Sequence, residues 1–172
     1  MIKDYNMKGM KGEFEIYINN ELVDKGPNTI TNLGRKWLLD RSLGVGSVLP
    51  WTAGSSYLAV GEGSGINLAT LSGLITELGA GSNPRADFIS VNRIVDAGSC
   101  LIGSASFGGS GALGLISEVG LFVTGYNGAS LKTASTTKDS GILFGRRILN
   151  TPKLVDSGAV LELRYKYCLW NS

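Results

Sequence analysis

Residues 13–18 alternate strictly, with Phe14, Ile16 and Ile18 on one side and Glu13, Glu15 and Tyr17 on the other. That is the period-two pattern of a half-buried strand. Asn19 and Asn20 follow, and asparagine tolerates positive φ, so 21–23 is expected to return as a short strand until Gly26 and Pro27 close the hairpin. The period then changes. Leu33, Trp37 and Leu38 share one helical stripe while Arg35, Lys36 and Asp40 lie off it, which predicts a helix over 31–43. Thr31 or Asn32 would cap its start and Gly44 would stop it. Gly34 in the first turn costs stability relative to alanine, which points to close packing there.

Farther along, residues 44–56 read as a loop, 57–60 as a short strand and Gly61-Glu62-Gly63-Ser64-Gly65 as a tight turn. The apolar residues of 66–78 fit neither period and predict an extended segment or a helical turn, ahead of a loop at 79–84. Strands are expected at 87–95, 100–107, 116–123 and 142–149, the first two joined as a hairpin and the last two separated by a polar loop at 124–140. Gly120 and Gly145 fall inside strands, where bulges or close backbone approach are expected. The final strand has the clearest pattern: Leu161, Leu163, Tyr165, Tyr167 and Leu169 alternate with Glu162, Arg164 and Lys166. A slip of one residue would invert that whole face. Short strands between glycine turns predict a mainly β chain, an antiparallel β-sandwich or jelly roll with one short helix at 31–43. Residues 1–12 read as a tail ordered by a partner, and 13–172 as a single domain.

Composition narrows the chemistry. The 172 residues include 25 glycines and no histidine, with a formal charge of +2. Without histidine there is no Ser-His-Asp triad, no Cys-His dyad and no histidine metal site. The glycine string at 61–65 lacks the lysine of a phosphate loop, and Ile66 stands where a dinucleotide fingerprint needs glycine. Glu62, Glu77, Asp87, Asp96 and Glu118 are scattered, with no paired spacing of the kind glycosidases use. The reading is therefore a non-enzyme with no catalytic residue, cofactor or metal site.

Residues 131–172 hold seven basic and three acidic side chains, spaced as outward strand positions. No basic cluster is interleaved with exposed aromatics, which argues against nucleic acid. No apolar run is long enough to span a membrane, and the first residues lack the apolar core of a signal peptide. The chain is therefore expected to be made in a cytosol and kept there, or assembled there into something larger. Cys100 and Cys168 read as buried free thiols, able to pair only if two strands set them side by side.

Glu118 stands out in the apolar run Ile116-Ser117-Glu118-Val119-Gly120-Leu121-Phe122. It shares the parity of Ile116, Gly120 and Phe122, so it points with large apolar groups and needs a cation or several backbone donors. Arg146, in Ile142-Leu143-Phe144-Gly145-Arg146-Arg147, is the expected partner in a structural ion pair.

The order of several motifs adds one more indication. Asn28-x-Ile30-Thr31-x-x-Gly34-Arg35 opens the helix, followed by Tyr57-x-Ala59-Val60-Gly61-x-Gly63 and Leu74-x-Thr76-Glu77-Leu78. Then come Glu118-x-Gly120-Leu121-Phe122, Phe144-x-Arg146-Arg147-Ile148 and Leu161-x-Leu163-x-Tyr165. Over most of 13–169 this series resembles small virion structural proteins of tailed bacteriophages. The resemblance implies a non-enzymatic β-sandwich subunit of the tail, collar or fibre-attachment apparatus. Its partners would be copies of itself, a trimer foremost, and other virion proteins, with assembly in the bacterial host cytoplasm and residence in the virion. A capsid decoration protein and a carbohydrate-binding module are the alternatives. Trp51 and Trp170, with Met1, Ile2 and Tyr5 of the tail, are the interface candidates, because aromatic anchors dominate contact energetics. Trp37 is expected in the core.

Overall fold

The computed structural model describes residues 10–45, 48–78, 85–88, 90–95, 99–107 and 114–169. In chain order these form β1 (Met10–Ile18), β2 (Glu21–Pro27), β3 (Thr29–Ile30), α1 (Asn32–Ser42), β4 (Ser56–Gly61) and β5 (Arg85–Asp87). There follow β6 (Ser90–Val95), β7 (Ser99–Phe107), β8 (Gly114–Val123), β9 (Gly125–Asn127), β10 (Ser130–Lys132), β11 (Ile142–Val155) and β12 (Leu161–Leu169). One antiparallel sheet has the order β2-β1-β12-β7-β6, a second has β3-β11-β8-β4-β5, and β9 pairs with β10 as a small hairpin. The protein is thus mainly β with a single short helix among the described residues, in the β-sandwich class that the alternating runs predict.

The alternation decides which side of each strand is buried. Phe14 and Ile16 of β1 and Leu161, Leu163 and Tyr165 of β12 are almost wholly buried, and they meet Leu121, Val123, Ile142 and Phe144 of the second sheet in one core. The other parity of the first sheet is polar. Lys25 reaches Glu13 at 3.2 Å and Glu15 at 2.8 Å, and Arg164 pairs with Glu162 at 2.7 Å while lying 4.3 Å over the Tyr17 ring. Asn19 and Asn20 take φ of 51° and 68°, the two left-handed positions that the tight β1–β2 hairpin requires.

The helix forms where the second sheet leaves backbone acceptors free. Between Leu143 and Gly145, β11 carries one residue more than β8, so Phe144 bulges. The Phe144 carbonyl accepts the Thr31 N–H at 3.0 Å, and the Thr31 hydroxyl donates to the Leu143 carbonyl. The same hydroxyl caps α1 by accepting the Gly34 N–H at 2.9 Å. Gly34 lies against this bulge, and a Cβ there would run into the Phe144 carbonyl oxygen. The close packing expected at Gly34 is therefore contact between backbones.

An aromatic cluster closes the space between α1 and the sheets. Trp37 donates its indole N–H to the Thr124 carbonyl at 2.9 Å and stacks on Trp51, with ring centres 5.6 Å apart. Trp51 meets Phe144 and Tyr167 edge-on, each with ring centres 5.0 Å away. Its reading as an interface candidate is corrected by this packing: Trp51 is 8% exposed and belongs to the main core cluster. Burial pushes the Tyr167 phenol up to about 12 and that of Tyr165 higher still, so both rings stay neutral.

Several boundaries differ from the pattern. β1 begins at Met10, inside the segment expected to be a tail, because Met10, Lys11 and Gly12 pair with Leu169, Cys168 and Tyr167. The strand expected at 87–95 divides into β5 in one sheet and β6 in the other, which alternation alone does not reveal. β11 continues past Asn150 to Val155 through an irregularity around Pro152, and the polar loop at 124–140 contains the β9–β10 hairpin.

Cys100 and Cys168 also depart from the free-thiol reading. They stand directly opposite each other across β7 and β12, with Cα atoms 4.1 Å apart, and form a disulfide. Register, which spacing in the sequence does not state, brings them together. The bridge spans 68 positions, and a closed loop of that size constrains the unfolded chain by about 4 kcal/mol. Reduction, or the Cys100→Ser Cys168→Ser double variant, is expected to lower the Tm by roughly 10 °C in calorimetry while the protein stays folded. Full alkylation of both thiols in native, unreduced protein would refute the bridge. Gly34→Ala is expected to cost at least about 1–3 kcal/mol from overpacking against the bulge, read by urea denaturation.

Candidate functional site

The outer face of the second sheet is covered by the chain itself. Phe122, Leu143 and Ala59 form a second buried cluster there, with Leu71 and Leu74 packed upon it. Gly120 lies under Leu74, the close approach expected of a glycine within a strand. Both leucines belong to residues 62–77, whose ends meet: the Glu62 N–H donates to the Thr76 carbonyl at 2.9 Å, and Gly61 bridges Glu77. Such a segment is an Ω-loop, a compact surface loop with closed ends. The start of α1 adds a further tie, from the Asn32 N–H to the Ala69 carbonyl at 2.7 Å.

Beneath this loop lies the predicted ion pair. Glu118 and Arg146 have side chains 0% and 1% exposed, with the Arg146 Nε donating to Glu118 Oε2 at 2.6 Å. Glu118 Oε1 accepts the N–H of Gly63 at 3.1 Å and that of Thr76 at 2.9 Å, one from each end of the loop. Arg146 Nη1 donates to the Ile66 carbonyl at 3.2 Å. A buried carboxylate has therefore found both compensations it requires, a cation and backbone donors. Gly63 permits the approach, since a Cβ there would strike the Glu118 carboxylate. Within the 61–65 string, the Gly63 N–H thus meets an anion, and the anion is the protein's own carboxylate. Ile116, expected on the same face, belongs to the main core cluster instead, next to the point where the β8–β11 register shifts between Ile148 and Lys153.

Two more buried pairs brace the surroundings. Arg85 grips Glu77 with two bonds of 2.6 and 2.9 Å, donates to the Ser140 carbonyl at 2.6 Å, and lies 3.6 Å over the Phe122 ring. Arg147 points to the opposite face from Arg146 and reaches Asp24 at 2.5 Å, with further bonds of 3.2 Å to the Lys25 and Pro27 carbonyls. That contact joins β11 to the edge strand of the other sheet. Neither pair was read from the sequence. Adjacent arginines in an apolar strand must face opposite ways, so Arg147 signals a second buried acid; Arg85, beside a loop, carries no such signal.

The chemistry available follows from these partners. Glu118, Glu77 and Asp24 are each occupied by a guanidinium, so none is presented as a free acid, base or nucleophile. Beside the loop is a cleft of about 460 Å³ between Ser72–Glu77 and Lys138–Gly141. Among the described residues no group of three or more Cys, Asp or Glu side chains is placed to hold a metal ion. Toward solvent the loop presents three aliphatic side chains, Ile66, Leu68 and Ile75 at 75%, 50% and 51% exposed, among exposed polar residues such as Glu62, Ser64 and Ser72. Of the expected interface residues, Trp51 is in the core, while Met1, Ile2, Tyr5 and Trp170 lie outside the described residues.

Comparison with protein-family models, curated proteins and solved structures returns no match for this chain.

Glu118→Ala leaves the Arg146 guanidinium buried and uncompensated, an expected loss of about 3–5 kcal/mol. Glu118→Gln keeps the shape and an acceptor and is expected to lose less. Limited proteolysis should cut within 62–77 faster in both variants, the alanine one most. An unchanged Tm together with a loop as resistant as in the parent protein would show that the pair does not hold the loop.

Proposed function

We propose that this chain is a non-enzymatic structural subunit of a tailed-bacteriophage virion, part of its tail, collar or fibre-attachment apparatus. It works by assembling with copies of itself and with other virion proteins. The observation that carries this reading is the use made of buried charge. Three arginine–carboxylate pairs are all spent on holding surface segments and sheet edges in place, and the most elaborate one fixes a loop that turns aliphatic side chains outward. Rigid presentation of apolar surface suits a subunit that binds neighbours, because little conformational entropy remains to be lost on contact.

A sugar-binding module would instead present an open aromatic platform. Trp37 and Trp51 are buried, and the half-buried rings of Tyr17 and Tyr126 have Arg164 and Lys36 over them. No helix of the described residues is long and apolar enough to cross a membrane.

Light scattering coupled to size-exclusion chromatography is expected to show a discrete oligomer, a trimer foremost, and mass spectrometry of gradient-purified particles should find the chain at a fixed copy number. A monomer at every concentration, absent from particles, would overturn the proposal.

A further inference from the structure

A second cleft, of about 350 Å³, opens between α1 and the first sheet. The rings of Trp37, Trp51 and Tyr167 line it, with the half-buried Leu38 and Leu101. Among the described residues its lining holds one charge, the Arg41 guanidinium. Burial keeps the Tyr167 phenol neutral, and the Trp37 indole N–H is committed to the Thr124 carbonyl. The buried Trp51 indole N–H has no acceptor among the described residues. Arg41 is exposed, and its Nη1 donates to the Val48 carbonyl at 3.1 Å, which steadies the guanidinium. Its Nε and Nη2 have no partner among the described residues, and two adjacent N–H groups of this kind match the two oxygens of a carboxylate.

We infer that this cleft binds a small carboxylic acid with an aromatic body, its carboxylate on Arg41 and its ring against the apolar lining. Volume sets the size. An apolar cavity of about 150 Å³ takes one benzene ring, so this cleft has room for a ring with a short acidic chain or for two fused rings. Charge sets the head group. One monoanion balances the one guanidinium, whereas a phosphate dianion would leave negative charge against apolar walls. The hydroxyls of a sugar would likewise meet apolar surface and lose their bonds to water. The larger cleft beside the Ω-loop selects no charge in this way, because Lys132 and Lys138 share it with Asp139. Stacking of Trp37 on Trp51, and Trp51 edge-on to Tyr167, fixes the lining before a ligand arrives, so little ordering is required on binding. The site goes beyond the assembling role proposed above and does not depend on it.

The test titrates the full chain with phenylpropionate and with its neutral amide, followed by calorimetry and by NMR of the tryptophan indole N–H groups. The acid is expected to bind at sub-millimolar concentration and to shift the Trp37 and Trp51 signals, and the amide to bind at least about 10-fold more weakly. Arg41→Gln, first checked for a parental Tm, should weaken the acid by about 10-fold or more and leave the amide unchanged. Leu38→Trp, which fills the cleft, should abolish binding of both; Leu101→Phe replaces it if its Tm falls. Equal binding of acid and amide, or acid binding untouched by Arg41→Gln, would overturn the proposal. So would the absence of binding by either probe at about 10 mM. If neither probe binds and Arg41→Gln dissociates the parental oligomer, the cleft is a contact between subunits and not a ligand site.

Discussion

A carboxylate enclosed in a β-sheet has to be met by a cation and by hydrogen-bond donors, or the fold around it cannot form at reasonable cost. Glu118 meets this condition by recruiting partners from three places far apart in the chain: Arg146 on the adjacent strand, Gly63 at the start of the loop and Thr76 at its end. The loop cannot lift without stripping donors from a buried anion. Glu118 therefore governs how the outer face of the second sheet is covered, how Leu71 and Leu74 reach Phe122 and Leu143, and which side chains of the loop face outward.

The same economy recurs at the other side of that sheet. A single extra residue at Phe144 releases carbonyls from the β-ladder, and Thr31 takes them up while also capping α1. The cap sets where the helix begins, Gly34 lets it lie against the bulge, and Trp37 is delivered onto Trp51. Arg147 then fastens β11 to the edge of the opposite sheet. Neighbouring residues on one strand, Phe144 to Arg147, thus organise the helix, the loop and the junction between sheets. The consequence is a body whose irregular segments are held by backbone and charge contacts, which is the property the proposed assembling role draws upon.

Much of this was legible along the chain. Period-two runs placed β1 and β12, the change of period and the Thr31–Gly44 punctuation placed α1, and an acid within the apolar run of β8 pointed to Glu118 and to a countercharge at Arg146 on β11. These signals are local, because side-chain alternation and capping act within a few residues. Arg147 beside Arg146 signals a second buried acid, but that its partner is Asp24, and that Glu77 meets Arg85, was not legible. Each pair joins residues whose neighbourhood arises only when a loop or an edge strand folds back, and no short-range pattern encodes that.

What the sequence determined by itself, then, is the mainly β class, the faces of its clearest strands, the helix with its caps, and the need for a countercharge at position 118. Tertiary structure alone decided that β5 and β6 divide between sheets, that Trp51 turns inward, that Cys100 meets Cys168, and that the Gly63 N–H meets an internal carboxylate. The physical reason is range. Burial pattern and backbone propensity are properties of consecutive residues, whereas strand register and the partner of a buried charge are settled only by which distant segments come within bonding distance.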